Sequence, residues 1–263
     1  METSDSPSRF WRWLLPVAVA GCLYVNYIFN AHPPEGALSN GDMSLRHPTL
    51  LTPAGYAFSI WGVIFGGLVV YTGWQLRPGA QQAPLVARVT PVLTLAVLAT
   101  TAWTLAFSYG YIGLSLAVML TILSLLAVAY GRARRLVLAG TVPGWPTWFL
   151  SWYLGWIMLA TVLNLVFGLR DAAGVRWSAE ASLVGSYGLV VVAAGLGVAL
   201  AWRKRDVNLP LPLAWGLVGT WVAQRASTPE LATTALGAAV ALVVGAVLAG
   251  LLRRRPAARL AVG

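Results

Sequence analysis

Long apolar stretches separated by short polar segments run along most of the chain. Most of them approach or exceed the roughly 20 residues that a helix needs to cross a bilayer. Because an open strand edge cannot satisfy its backbone groups in lipid, each stretch is predicted to be a membrane-spanning helix. The pattern predicts an all-α integral membrane protein with eight spans, at residues 13–30, 55–76, 89–107, 111–131, 147–169, 182–202, 209–224 and 234–252.

The stretch 209–224 is the weakest of the eight predicted spans. It is short, and it contains Pro210 and Pro212, which a helix tolerates only near its start. The distribution of basic residues therefore tests whether this stretch crosses the membrane.

Lys and Arg favour the cytoplasmic side of a membrane protein when they lie in short loops. With the N-terminus in the cytoplasm, eight spans place 14 of the 18 basic residues on that side. If 209–224 did not cross, Arg253–Arg255 would lie on the opposite side from Arg203–Arg205. The charges therefore predict eight spans, or a re-entrant hairpin of the same parity, with both termini in the cytoplasm. The basic residues left on the other side are Arg46, Arg170, Arg176 and Arg225.

Composition agrees with the pattern, since the 263 residues are 58% hydrophobic and 10% charged. Soluble domains are about 45–50% apolar and about 25% charged, so a soluble fold is excluded. The net charge of +10 comes from clusters at the ends of apolar stretches, which predicts contact with the lipid bilayer and not with nucleic acid. Abundant Ala, Gly, Arg and Leu with a single lysine is typical of a GC-rich bacterial source and predicts the bacterial plasma membrane.

Several classes of chemistry are disfavoured by the sequence. No Asp, Glu, Lys, Arg or His lies within the predicted spans, which argues against an ion-driven pump. Cys22 is the only cysteine, so no disulfide forms within one chain. His32 and His47 lie in the first loop, residues 31–54, at a spacing without specificity for a metal, and no metal site is predicted.

Cys22 ends the segment Val19-Ala20-Gly21-Cys22, which is similar to a lipoprotein cleavage box. Apolar sequence continues beyond it to Phe29, and this continuation favours a retained first helix.

Aromatic residues form two groups at helical spacing. Phe58, Trp61 and Phe65 lie at positions i, i+3 and i+7 of the second span, which predicts one aromatic face. Trp103 and Phe107 form an i, i+4 pair in the third span. Each group could pack against a neighbouring helix or contact a ligand.

The fifth span carries a further pattern with a four-residue period, formed by Trp152, Trp156, Ala160 and Asn164. An amide at membrane depth must find hydrogen-bond partners. Asn164 therefore either ties two helices together, which is the commoner role, or contacts a ligand.

These segments together resemble the translocator protein family, also called tryptophan-rich sensory proteins or the TspO/MBR family. The resemblance covers about residues 10–170 and departs from the family pattern at Ala54, which replaces a proline, and at Phe65, which replaces a tyrosine. It rests on Trp156-x-x-x-Ala160-Thr161-x-Leu163-Asn164, on Pro53 through Trp61-x-x-Ile64-Phe65, and on Trp103-x-x-x-Phe107.

The resemblance implies a five-helix bundle at residues 1–170, followed by a three-helix extension at 171–263. Members of the family bind porphyrins and other hydrophobic small molecules in a cavity capped by the first loop, so residues 31–54 are expected to form a lid. Aromatic faces suit flat apolar ligands. The implied ligand-binding residues are Pro53, Phe58, Trp61, Phe65, Trp103, Phe107, Trp152, Trp156, Ala160 and Asn164.

Three functions remain open at this point. The first is a binding or sensory protein for tetrapyrroles or similar flat hydrophobic molecules, with no required cofactor. The second is a facilitator that transports such ligands, and the third is an enzyme that degrades porphyrin. The spans offer no acid–base pair, so the enzyme ranks last and no catalytic residue is predicted.

A stripe of small residues in the last span allows close helix packing. Packing within the chain is favoured, and a homodimer is the alternative. The stripe consists of Gly237, Ala241, Gly245 and Ala249.

Overall fold

A computed structural model of the chain describes residues 9–253, with side chains through residue 251. Short 3₁₀ turns at Gly55–Ser59 and Trp145–Thr147 lead into α3 and α6, and a π-helical turn at Gly168–Ala172 extends α6. The described residues contain no strand, and the all-α prediction is confirmed. The α-helices are α1 Arg9–Ala31, α2 Asn40–Arg46, α3 Ile60–Gln75, α4 Pro84–Ser108, α5 Ile112–Leu138, α6 Trp148–Phe167, α7 Ala179–Lys204, α8 Pro210–Gln224 and α9 Pro229–Arg253.

Seven helical segments within the described residues are long and apolar enough to cross a membrane. They correspond to seven of the eight predicted spans. The remaining prediction, 209–224, forms α8, which has 15 residues. At 1.5 Å per residue α8 is about 22 Å long, whereas the hydrocarbon core is about 30 Å thick. Helix α8 is therefore an eighth, shorter helix of the bundle.

Two arginine side chains of α5 contact the backbone of neighbouring helices at one end of the bundle, which we call the basic end. Arg132 at the end of α5 donates to the carbonyl oxygen of Arg88 in α4 at 2.9 Å. Arg134 in α5 donates to the carbonyl oxygen of Lys204, the last residue of α7, at 2.7 Å. Residues that the charge pattern assigned to the cytoplasm thus lie together in the structure.

The opposite end, which we call the loop end, is covered by the first loop. Leu38 N–H donates to the carbonyl oxygen of Ser108 at 2.9 Å, where α4 ends. His47 Nδ1 hydrogen-bonds Asp171 at 2.8 Å beyond α6, and Thr220 in α8 donates to the carbonyl oxygen of Leu51 at 3.0 Å. The loop therefore lies across the ends of three helices, and its function as a lid stays a prediction.

Helix α8 carries the chain from the basic end back to the loop end, and α9 returns it. A Cβ built at Gly250 near the end of α9 would lie 3.1 Å from Val207, which follows α7 at the basic end. This reversal of direction agrees with the parity that the charge pattern predicts. The predicted C-terminal basic cluster includes Arg254, Arg255 and Arg259, which lie outside the described residues.

Helix α8 packs closely against α6 because glycines lie at the contacts. A Cβ built at Gly155 of α6 would lie 2.6 Å from the carbonyl oxygen of Leu209, and one at Gly216 of α8 would overlap Leu159. Small residues allow helix backbones to approach in this way. Leu213 and Leu217 of α8 join the same buried core as α6, so the last three helices and the first five spans share one core.

The structure buries an ion pair that the sequence pattern placed in polar loops. Helix α5 continues to Leu138, so Arg134 is helical and only 6% exposed, and Asp206 is 2% exposed. Arg134 Nε lies 3.9 Å from Asp206 Oδ2, and Ser151 of α6 donates to the same oxygen at 2.6 Å. The carbonyl groups at the C-terminus of α7 need donors, and Arg134 supplies them. Arg134, which the charge pattern assigned to a cytoplasmic loop, thus has a structural role in joining α5 to the end of α7.

The small-residue stripe of α9 divides between two environments. A Cβ at Gly245 would lie 3.1 Å from Val198 of α7, and Ala249 is buried, so this half packs within the chain. Gly237 and Ala241 are exposed. A four-residue period advances about 40° per step on a helix of 3.6 residues per turn, so the stripe winds away from α7.

Candidate ligand-binding site

A cavity of 350 Å³ opens between α1 and α3. Three of the predicted ligand-binding residues line this cavity, namely Phe58, Trp61 and Phe65. Their i, i+3, i+7 spacing had placed them on one helical face. Trp61 and Phe65 stack with ring centroids 5.2 Å apart and an angle of 28° between the ring planes. The lining consists of Leu23, Asn26, Tyr27, Asn30, Phe58, Trp61, Gly62 and Phe65.

Helix α1 supplies the opposite wall, which the sequence analysis did not predict. Asn26 is 6% exposed; its Nδ2 donates to the carbonyl oxygen of Cys22 at 3.0 Å. Its Oδ1 accepts a hydrogen bond from Thr104 at 3.4 Å. The signal was present in the sequence, since Asn26 and Asn30 are amides four residues apart in an apolar stretch. Like Asn164, each is an amide at membrane depth that must find hydrogen-bond partners.

The first loop reaches the cavity through Asn30. The Asn30 side chain donates through Nδ2 to the carbonyl oxygen of Asn26 at 2.9 Å and accepts through Oδ1 from the backbone N–H of Asn40 at 3.1 Å. Asn40 begins the short helix α2. The loop thus contacts one wall residue directly, while none of its residues is among those that line the cavity.

Side chains of α6 support the aromatic wall from behind. Tyr153 packs edge-on against Trp61 with centroids 5.9 Å apart, and its hydroxyl hydrogen-bonds Thr100 of α4. Trp156 packs edge-on against Phe58 with centroids 6.0 Å apart. The cavity wall is therefore held in place by buried aromatic contacts and by a hydrogen bond between α4 and α6.

Trp103, Phe107 and Asn164 form a second cluster, buried between α4, α5 and α6. Trp103 Nε1 donates to Asn164 Oδ1 at 3.1 Å, and Ser115 of α5 donates to the same oxygen at 3.4 Å. Trp103 stacks on Phe107 with centroids 4.9 Å apart. Asn164 Nδ2 donates to the carbonyl oxygen of Ala160 at 3.0 Å. These residues tie three helices together and do not line the cavity.

The four-residue pattern in α6 does not form one face. Trp152 is half-buried and packs edge-on against Trp148 with centroids 6.3 Å apart, whereas Asn164 contacts Trp103. Each step of four residues turns about 40°, so three steps separate Trp152 from Asn164 by about 120°. Trp61 and Phe65 lie about 40° apart on α3. Phe58 lies in the preceding 3₁₀ turn, about one turn before Trp61, which explains why the three stay together.

Two predicted residues contact α8. Pro53 is buried, and a Cβ built at Gly219 of α8 would lie 2.8 Å from its Cβ. Trp156 is also buried, and its ring lies 3.5 Å from the Cβ position of Gly216. The entry to α3 and the middle of α6 are thus covered by the short helix.

The model of the TSPO-like protein family matches residues 12–248. The chain belongs to this family. The match extends through α7 and α8 into α9, so this TSPO-like chain resembles its family beyond the five spans that the motifs covered. No curated protein and no solved structure matches the chain.

The chemistry of the site in this TSPO-like protein combines a stacked aromatic pair with amide groups. Aromatic faces attract flat rings through dispersion and quadrupole contacts. Amide groups at the edge of an apolar pocket fix the orientation of a ligand. The lining of this cavity contains the aromatic pair Trp61 and Phe65 and the amides Asn26 and Asn30.

Proposed function

We propose that this TSPO-like membrane protein binds a flat, apolar ligand of the tetrapyrrole class in the cavity between α1 and α3. The observation that carries the proposal is the stacked pair Trp61–Phe65, which faces the amides of Asn26 and Asn30 across the cavity. Binding, with a sensory or storage role, is the proposed activity, and chemical conversion of the ligand is not required for it.

Size and position support an edge-on mode of binding. A volume of 350 Å³ lies near the lower end of the roughly 300–1,000 Å³ of small-molecule sites. The cavity opens between two helical segments that are long and apolar enough to span a membrane. A macrocycle therefore enters from the hydrocarbon region, inserts one edge beside Trp61, and leaves its remaining edge in lipid.

Titration of the protein in detergent with protoporphyrin IX tests the proposal, with the porphyrin absorption band as the readout. We expect saturable binding that Trp61→Leu weakens by about tenfold, because a lost aromatic stack and its contact area amount to about 1.4 kcal/mol. Trp152→Leu is the matched control, since it also removes one indole but lies outside the cavity, and we expect its Kd to stay within about twofold of wild type.

Equal weakening by the two variants would refute the assignment of this cavity, and linear, unsaturable uptake would refute binding itself. The same samples separate the rival functions. Loss of porphyrin with new absorbing products would indicate degradation, and flux into proteoliposomes that Trp61→Leu abolishes would indicate transport.

A further inference from the structure

A second and larger cavity, of 790 Å³, lies between α6 and α7 at the loop end. It shares no lining residue with the cavity between α1 and α3. Its walls are mainly apolar, with Leu165 and Leu169 from α6 facing Ala181 and Leu189 from α7. Neither the aromatic motifs nor the proposed tetrapyrrole binding involves this cavity.

The cavity exists because α7 is closely packed along only part of its length. A Cβ built at Gly197 would lie 2.5 Å from Leu242 of α9 and 2.8 Å from Leu213 of α8. Nearer the loop end, a Cβ at Gly185 or Gly188 would meet no atom within 4 Å. Both of these glycines line the cavity, so the open half of α7 faces α6 across a gap.

Hydrogen-bonding groups lie at the loop end of the cavity. Arg170, which lines it, donates through Nε and Nη2 to Asp171 at 2.9 and 3.1 Å. Its Nη1 donates to the carbonyl oxygen of Pro48 at 2.7 Å. A guanidinium group carries five N–H donors, so about two remain for a further acceptor. The Gln224 side chain lines the same end.

A second guanidinium lies next to the first. Arg176 Nη1 donates to the carbonyl oxygen of Arg170 at 2.8 Å, and Arg176 is exposed. The loop end of the cavity thus offers several N–H donors. Its walls toward the membrane interior are mainly leucine, valine and glycine, and the hydroxyls of Ser182 and Ser186 in the α7 wall donate to the backbone carbonyl groups of Ser178 and Ser182. This polarity along one cavity matches an amphiphile with a hydrogen-bond-accepting head and a hydrocarbon tail.

The position of the cavity determines which amphiphile has access to it. The helical segments that contain α6 and α7 are long and apolar enough to span a membrane, so the gap between them opens to lipid. An empty gap of this size forfeits dispersion contacts, and water is stable only beside polar partners. A hydrocarbon chain makes van der Waals contacts with the apolar walls. Phosphate oxygens accept hydrogen bonds from the planar guanidinium group of an arginine.

We propose that the cavity between α6 and α7 binds a glycerophospholipid, with an acyl chain along Gly185 and Gly188 and its phosphate at Arg170. The lipid fills the open half of α7 and joins the last three helices to α6 at the loop end. This site is independent of the proposed tetrapyrrole site.

Native mass spectrometry of the delipidated protein in detergent tests the proposal, with dioleoylphosphatidylglycerol as the probe. We expect one molecule to be retained by the wild type. We expect Gly185→Leu and Gly188→Leu each to lower its retention by at least about tenfold, because leucine fills open space in the cavity. Gly195→Leu is the matched control, since Gly195 is also an exposed α7 glycine with no atom within 4 Å of its Cβ position and lies outside the cavity.

Dioleoylglycerol has the same chains without the phosphate, and we expect its retention to be at least about tenfold weaker. Equal retention of the two lipids would overturn the assignment of the phosphate to Arg170. Equal retention by Gly185→Leu, Gly188→Leu and Gly195→Leu proteins of unchanged melting temperature would overturn the site. Porphyrin binding is expected to stay unchanged in all three variants, so failure of one proposal leaves the other standing.

Discussion

Both polar atoms of the Asn164 side chain are occupied inside the helical bundle. Oδ1 accepts hydrogen bonds from Trp103 and Ser115, and Nδ2 donates to the carbonyl oxygen of Ala160. The side-chain atoms of Asn26 and Asn30 are occupied in the same way. Unlike them, Asn164 is not among the residues that line the cavity between α1 and α3, so its geometry favours the tie between helices. Direct binding of a ligand by Asn164 stays a prediction.

The change Asn164→Leu is expected to lower the free energy of unfolding by about 1–3 kcal/mol, because it leaves the buried Trp103 N–H without an acceptor. We expect porphyrin affinity to stay at the wild-type value. Thermal unfolding in detergent and the porphyrin titration measure the two quantities. Loss of affinity with an unchanged melting temperature would instead give Asn164 a role in ligand binding.

At the scale of single residues, the sequence could predict the aromatic wall but not the wall opposite. Phe58, Trp61 and Phe65 carry their own geometric signal, because their spacing holds them on one face for any packing partner. Asn26 and Asn30 become cavity residues only because α1 packs across from α3. Which helix faces which is a tertiary property, and hydrophobic periodicity in one stretch does not contain it.

Helix α8 depends on two glycines for its contact with α6. The Cβ position at Gly155 lies 2.6 Å from the Leu209 carbonyl oxygen, a backbone atom. A side chain there cannot be accommodated by rotating a neighbour, so the two helices would have to separate. The close contact between α6 and α8 therefore requires a residue without a Cβ atom at position 155, which is glycine.

We expect Gly155→Ala to lower the free energy of unfolding by about 1–3 kcal/mol through overpacking. Gly66→Ala is the control, since Gly66 lies in α3 with no atom within 4 Å of its Cβ position. That change should be neutral or stabilise by up to about 1 kcal/mol, because alanine favours helix over glycine. Thermal unfolding of the two variants in one detergent makes the comparison, and equal destabilisation would contradict the proposed close contact.

At the scale of helices, the predicted boundaries agree with the structure where a helix ends close to a cluster of basic residues. They agree less well where a helix continues through such a cluster. Helix α5 extends to Leu138 because Arg134 finds carbonyl partners and Asp206 inside the protein. An unpartnered arginine would have ended the buried segment earlier. The sequence shows the arginine but not the acceptors that another loop brings to it.

The whole molecule has two ends that a labelling experiment can assign to sides of the membrane. Gly79 lies between α3 and α4 at the basic end, and Ser227 lies between α8 and α9 at the loop end. Cys22 is the only cysteine and is buried in α1, so Cys22→Ser gives a background for single-cysteine variants.

In that background we expect Ser227→Cys to react with a membrane-impermeant maleimide in intact cells and Gly79→Cys to react only after permeabilisation. The reason is that α8 returns the chain to the loop end and the positive-inside rule places the basic end in the cytoplasm. Equal protection of both cysteines in intact cells would show that α8 does not bring the chain across.

At the scale of the whole chain, the motifs predicted a bundle with an appended unit, and the division into residues 1–170 and 171–263 stays a prediction. The structure adds that α8 packs on α6 and on the entry to α3 through Gly216 and Gly219. Contacts of this kind join segments that are far apart in the chain, and they do not change the hydrophobic periodicity of either segment. The sequence therefore could not predict them.

The buried connection between α7 and α8 has a consequence for biogenesis. Its carbonyl groups at Lys204 and Arg205 accept from Arg134 of α5, and Asp206 accepts from Ser151 of α6. None of these partners belongs to the segment being inserted, and α8 is too short to be held in the bilayer by its own length. We therefore expect α8 to insert late in synthesis, after the six preceding long apolar helices have left the translocon and packed together.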